Sequence, residues 1–315
     1  MPEQNDNWER GVLEKLAMSA IKEQRRTRRW GIFFKVLTFG YLAIVLALAM
    51  GWMGKAETVS GKHTALVDLS GVIASGSAAS ADNIISSLRD AFKDKNTQGV
   101  ILRINSPGGS PVQAGRINDE IRRLRTQYPD IPLYAVVEDM CASGGYYVAA
   151  AADKIYVNKA SLVGSIGVLM DGFGFTGTMD KLGVERRLLT AGKNKGFLDP
   201  FSPMDAGQRD YAQTMLADIH QQFIDTVRAG RGNRLKENSD TFSGLIWTGD
   251  KSIEMGLADA MGSVDSVARD VIKAENIVDF TAREGMADRL ARKFGMGAAS
   301  VLPDFFMQAN KAELR

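Results

Sequence analysis

At 315 residues with an apolar share of 45%, the chain is long enough for one large domain or two modest ones with a real core. Its formal charge of +2 is accounted for by residues 1–29, which hold seven basic and five acidic side chains. The remainder is close to neutral and lacks the basic surplus of a nucleic-acid-binding surface. The single cysteine, Cys141, excludes an intrachain disulfide and a zinc set of the CxxC type, and no motif asks for a metal or cofactor.

The first predicted element is a membrane helix. No charged residue interrupts Val36 to Met53, and Gly31 to Phe34 extend the apolar stretch with only Lys35 between. From Gly31 to Gly54 a helix would reach roughly 36 Å, enough to cross a hydrocarbon core of about 30 Å, with Lys35 snorkelling to the surface. Arg25, Arg26, Arg28 and Arg29 precede it, so the positive-inside rule places the N-terminus in the cytoplasm and the long C-terminal part outside. Ala47-Leu48-Ala49 has the small-x-small form of a leader-peptidase site. Against cleavage stand a leading polar region of about 29 residues and an apolar run that continues through Trp52 and Met53. The expected organisation is a cytoplasmic segment (1–29), a retained single-pass anchor (30–54), a large outer domain (55–275) and a C-terminal helical tail (276–315).

Beyond a linker from Lys55 to His63, short apolar runs alternate with helical stretches. Thr64–Leu69, Gly99–Ile104, Leu133–Val137, Lys154–Val157 and Glu185–Leu189 read as buried strands, and Ala81–Lys93, Pro111–Tyr128 and Gly144–Ala152 as helices. This rhythm implies an α/β fold of parallel βαβ units. Asp205–Arg231 is the longest soluble helix, with an apolar stripe of Ala212, Met215, Ile219, Phe223 and Val227 suited to core or subunit contact, and with Gly230 and Gly232 at its end. The tail from Phe280 to Arg315 reads as an amphipathic helix around Met286, Leu290 and Phe294 that packs on the domain or lies on the membrane surface.

Two strand-to-helix junctions carry candidate chemistry. In Asn105-Ser106-Pro107-Gly108-Gly109-Ser110 the paired glycines let backbone N–H groups approach a ligand, and the following helix adds partial positive charge, an arrangement suited to an oxyanion. In Cys141-Ala142-Ser143-Gly144-Gly145-Tyr146-Tyr147 a serine stands at the carboxyl end of a parallel strand, where ligands collect in such sheets. Either could be a plain turn or helix cap; together they supply a nucleophile and the donors for a tetrahedral intermediate, the pairing acyl transfer requires. The base is not histidine. The chain has only His63, in the linker, and His220, inside the long helix, and Cys141 as a thiol nucleophile would also need a histidine partner. A lysine serves if desolvation brings its pKa from about 10.4 toward 7 or 8. The local candidates are Lys193 and Lys195 in the glycine-flanked stretch from Thr190 to Phe201, and sequence physics does not separate them.

These motifs, NSPGG, ASGGYY, VGSIGV and KGFLDPF in that order over roughly Thr64 to Val264, resemble the signal peptide peptidase A family of serine-lysine peptidases with a crotonase-like (ClpP-type) fold. The resemblance implies Ser143 as nucleophile and selects Lys195, which precedes the acidic-Pro-Phe signature, as general base. It places a lysine-supporting serine at Ser165 in Gly164-Ser165-Ile166-Gly167, and oxyanion or substrate-binding residues at Gly108, Gly109 and Gly144. Gly196-Phe197 directly after the lysine departs from the small residues common there. By the same resemblance a short, single-copy chain forms a homo-oligomer whose neighbouring subunit completes each dyad. Its substrates would be remnant signal peptides and similar extended apolar peptides, with catalysis on the periplasmic or extracytoplasmic side of the inner (plasma) membrane. The competing readings are an acyl-CoA enzyme on the same fold, which would need no serine nucleophile, and a non-catalytic membrane scaffold.

Overall fold

The computed structural model of the chain describes residues 3–49 and 61–282. Helix α1 (Glu3–Ala49) is continuous, and its Glu14–Ala47 part is long and apolar enough to cross a membrane. Val59–Arg283 forms a separate compact unit.

That unit begins with β1 (His63–Ser70), α2 (Ala81–Lys93), β2 (Thr97–Ser106), α3 (Pro111–Gln127), β3 (Leu133–Ala142), α4 (Gly144–Ala149) and β4 (Lys154–Val157). The order strand, helix, strand follows from short buried runs separated by helices with clear caps. Ser80 accepts the Asn83 N–H at the start of α2, while Ser110 accepts the Gln113 N–H ahead of Pro111 at the start of α3. β1 pairs in parallel with β2, β2 with β3, and the first half of β3 with β4. Period-2 alternation divides the two faces. Val67, Leu69, Leu102, Ile104, Ala135 and Val137 face a core shared with α2, α3 and α4, whereas Leu66, Ile101, Val136 and Tyr156 face Val267 and Ala268.

The second half of β3 leaves β4 and pairs with β5 (Leu162–Gly164), so Met140, Cys141 and Ala142 lie opposite Leu162, Val163 and Gly164. β5 in turn pairs antiparallel with β6 (Ile246–Thr248). Between them run α5 (Thr176–Leu182) and α6 (Ala206–Arg231), the latter capped by Asp205, which accepts the Gln208 N–H at 2.9 Å. After β6 come α7 (Gly249–Glu254) and β7 (Ala260–Met261), which pairs with β4, and β8 (Ile277–Asp279), which pairs with β1. Arg231, buried at the end of α6, donates to both Asp259 oxygens at 2.8 and 3.0 Å and to Gly256 O at 2.8 Å, while Asp259 also accepts the Ile155 N–H. One carboxylate thus ties α6 to β4 and to the segment before β7.

Three expectations need correction. Glu185–Leu189 is not a strand but an exposed segment after α5, in which three of the five side chains, Glu185, Arg186 and Arg187, are charged and stay at the surface. His63 is no linker residue: it opens β1, is only 2% exposed, and its ring contacts Thr97 Oγ1 and stacks on Phe280. Residues 277–279, expected in the helical tail, form β8, because Ile277 and Val278 complete the open edge of β1. The expected helix around Met286, Leu290 and Phe294 lies outside the described residues.

Candidate active site

The carboxyl ends of β2, β3 and β5 converge on Ser143. It follows Ala142, and Ser165 follows Gly164, its register partner on β5, so the two serines leave adjacent parallel strands at the same level. A hydrogen bond from Ser143 N–H to Gly164 O (2.8 Å) fixes this juxtaposition, and Ser165 N–H donates to Leu245 O at 2.7 Å. Both serines have positive φ, 52° and 50°, in a region that non-glycine residues enter only at a cost. Neither hydroxyl has a hydrogen-bond partner among the described residues, and both line one cavity of about 1010 Å³.

Gly108 and Gly109 sit directly against Ser143 and Gly144. Their φ values are 100° and 146°, and a Cβ on Gly108 would fall 2.7 Å from both Ser143 Cβ and Gly144 N. A Cβ on Gly109 would strike Ile73 O at 2.2 Å. The loop is stitched to the segment after β1, for Ile73 N–H donates to Gly108 O and Ser110 N–H to Ile73 O, both at 2.8 Å. The Gly108 N–H donates to Ser106 Oγ at 3.1 Å, and Ser106 passes its own proton to Gly71 O at 2.6 Å. The Gly109 and Gly144 N–H groups beside Ser143, by contrast, have no partner among the described residues and are neighbours: a Cβ on Gly144 would lie 3.2 Å from Gly109 N. Two free N–H groups next to a strained serine hydroxyl can bind an oxyanion formed by attack of that hydroxyl on a carbonyl.

The rest of the cavity is largely apolar, with Val112, Tyr147, Val168, Leu169, Ile219 and Phe223 among its walls. Part of the α6 stripe thus faces the cavity, and Phe223 meets Tyr147 at a ring separation of 5.0 Å. Among the described residues its charged lining groups are Arg116 and Asp119, and no lysine or histidine lines it. Lys193 lines a different cavity of about 640 Å³, bounded by the segment after α5 and the start of α6, and Lys195 is exposed and lines neither. Within one chain the structure brings Ser143, Ser165, Gly108, Gly109 and Gly144 together and leaves both candidate lysines apart from them. His220 offers no alternative base, since its Nε2 is engaged with Ile166 O at 3.1 Å. Cys141 is fully buried, and burial pushes its thiol up, away from the thiolate a nucleophile needs. Leu245, Trp247 and Ser243–Gly244, which support or line the Ser165 side, carry no chemical motif and escaped sequence reasoning.

Comparison with known proteins points to peptidases. Residues 125–278 match the family described as Peptidase family S49. A Methanocaldococcus jannaschii protein named "Putative protease MJ0651" is 32% identical over 228 residues, covering 69% of this chain and 72% of that protein. "Protease 4" of Haemophilus influenzae is 31% identical over 219 residues, 68% of this chain and 35% of that one. A Brucella abortus protein named "Na(+)/H(+) antiporter NhaA" is 41% identical over 220 residues. This chain spans only 29% of that protein's length, so the name of the whole carries no activity across.

Proposed function

The chain belongs to peptidase family S49, the family of signal peptide peptidase A, and from that premise we propose that it is a membrane-anchored serine endopeptidase in which Ser143 attacks the peptide carbonyl. Lys195 of a neighbouring copy takes the Ser143 proton, Ser165 holds that lysine in place, and the oxyanion rests on the Gly109 and Gly144 N–H groups. Gly108 contributes the close approach of its loop to Ser143, its own N–H being engaged with Ser106. The proton then passes from the lysine to the leaving amine, and the same lysine activates the water that releases the acyl group from Ser143.

The observation that carries this reading is the pairing of a strained, unpartnered serine with two unpartnered amides in a largely apolar cavity that no lysine or histidine lines among the described residues. A second copy supplies what is missing. The segment that bears Lys195 exposes Leu169, Phe173, Leu182 and Leu189 to an extent ordinary surfaces avoid; Leu189 is 95% exposed. Contact between copies would cover these groups and carry the lysine loop to the next cavity. The apolar lining suits extended apolar peptides, and α1 suits a single-pass anchor that holds the catalytic unit near remnant signal peptides on the extracytoplasmic side.

Cleavage of a fluorogenic apolar peptide by the full-length chain tests the assignment. Ser143→Ala and Lys195→Ala should each lower kcat by about 10³-fold or more, and Lys193→Ala should stay within about threefold of wild type. Full activity in Ser143→Ala, or loss in Lys193→Ala alone, would refute it.

A further inference from the structure

Lys195 stands in a stretch with no strand partner and little cover, so something other than a core must hold it. From Gly192 to Ser202 the backbone runs as consecutive turns: Lys195 N–H donates to Gly192 O, Phe197 to Asn194 O, Asp199 to Gly196 O and Ser202 to Asp199 O, at 3.1 to 3.2 Å. Turns of this kind, with exposed hydrogen bonds, open at little cost unless tertiary contacts tie them down. Here the ties converge on one carboxylate. Asp199 pairs with Arg186 Nη1 across the loop and accepts the Ser202 hydroxyl proton at 2.7 Å, and its side chain is only 9% exposed. The Arg186 guanidinium also lies 5.3 Å above the Phe201 ring, and Phe201 stacks on Phe175 at 5.4 Å. Phe175 N–H closes the knot on Pro200 O at 2.7 Å, while Leu198, itself at φ 51°, donates its N–H to Gln208 Oε1 on α6. The Ser202 hydroxyl, and then the Arg186 guanidinium working against burial, hold the Asp199 carboxyl below its ordinary value, so it is ionised at neutral pH.

We propose that the Arg186–Asp199 pair is a positioning clamp for the lysine loop, holding Lys195 where a neighbouring copy's Ser143 can use it. The inference rests on the shared-dyad reading above and adds to it the residues that aim the base. Asp199 and Arg186 do not touch substrate; they act through Lys195. Because the pair sits in a surface loop, its loss should leave the sheet and the Ser143 cavity of the same chain intact.

This predicts a direction that a general folding defect would not show. Full-length chains carrying different substitutions are co-expressed under separate tags, doubly purified as mixed oligomers and assayed on the same fluorogenic peptide. Asp199→Asn alone should lower kcat at least tenfold with KM changed less than threefold, and Ser202→Ala should do so more mildly. Mixed with Ser143→Ala, Asp199→Asn should regain activity to the level of the Lys195→Ala with Ser143→Ala mixture, since the Asp199→Asn chain still supplies a sound Ser143. Mixed with Lys195→Ala it should regain none, because neither chain then offers an aimed lysine. Recovery in that last mixture would overturn the clamp, as would failure of Asp199→Asn with Ser143→Ala while Lys195→Ala with Ser143→Ala succeeds. Failure of the Lys195→Ala with Ser143→Ala mixture would instead remove the shared dyad on which the clamp rests.

Discussion

Ser143 holds φ 52° and ψ −122°, a backbone state that costs about 1–3 kcal/mol for a residue with a side chain. What over-determines it is the neighbouring strand and loop: Gly164 O takes its N–H, and Gly108 leaves no room for it to move toward β2. Gly108→Ala should therefore reduce kcat/KM by about 10²-fold or more, since the new methyl would displace Ser143 or Gly144. The same peptide assay reads this; activity within threefold of wild type would mean the loop does not constrain the nucleophile. Cys141, two residues earlier and buried, should resist alkylation by iodoacetamide in the native state and react only after unfolding, which an intact-mass measurement follows. At this scale Ser143 was legible as a strand-to-helix serine followed by paired glycines. The division of labour among the glycines was not: that Gly108 gives its N–H to Ser106 while Gly109 and Gly144 keep theirs depends on a hydroxyl position no spacing reveals.

Elements are held in place by a few charged nodes whose removal has separable effects. Asp259 receives the buried Arg231, the Ile155 amide and Arg234; burial works to raise its pKa, and these donors bring it below the ordinary value. Asp259→Asn should destabilise the catalytic unit by about 3–5 kcal/mol by leaving a buried guanidinium without its counter-charge. Denaturant unfolding of the full chain checks this, and a change under 1 kcal/mol would show that Arg231 finds other partners. Glu120 is bracketed by Arg123 and Arg89, which bring its carboxyl down to about 2 from 4.5 against the opposing effect of burial. Its folded pKa is depressed, so its contribution is present above pH 4.5 and disappears as pH falls through about 2. Glu120→Gln should remove about 1–3 kcal/mol at neutral pH and flatten the fall in stability between those two values, measured by unfolding at stepped pH. The long helices were readable because each has its period and cap: Ala81–Lys93 matches expectation with Ser80 as its cap, and Asp205 caps α6. β5 to β8 were not, having two or three residues each and owing their existence to an open neighbouring edge. The opposite error at Glu185–Leu189 comes from three charged side chains in five, which keep that run at the surface.

For the whole molecule the informative feature is a strained serine beside two unpartnered amides, with no lysine or histidine lining their cavity among the described residues. A family resemblance named Lys195, and the fold explains why spacing alone does not: the lysine loop hangs outside the sheet on its own knot of contacts around Asp199. The proposed anchor adds a second expectation at this scale. Full-length protein should stay with membranes through an alkaline carbonate wash and carry an intact N-terminus by mass spectrometry, whereas cleavage after Ala49 would show a leader instead. Covalent labelling tests the proposed Ser143–Lys195 dyad, because it reads the nucleophile and its activation together. A fluorophosphonate probe followed by peptide mapping should place the adduct on Ser143 in the wild-type chain, at a rate reduced about 10²-fold or more in Lys195→Ala and regained when Lys195→Ala is assembled with Ser143→Ala. An adduct on another residue, or unchanged labelling of Ser143 in Lys195→Ala, would contradict the account.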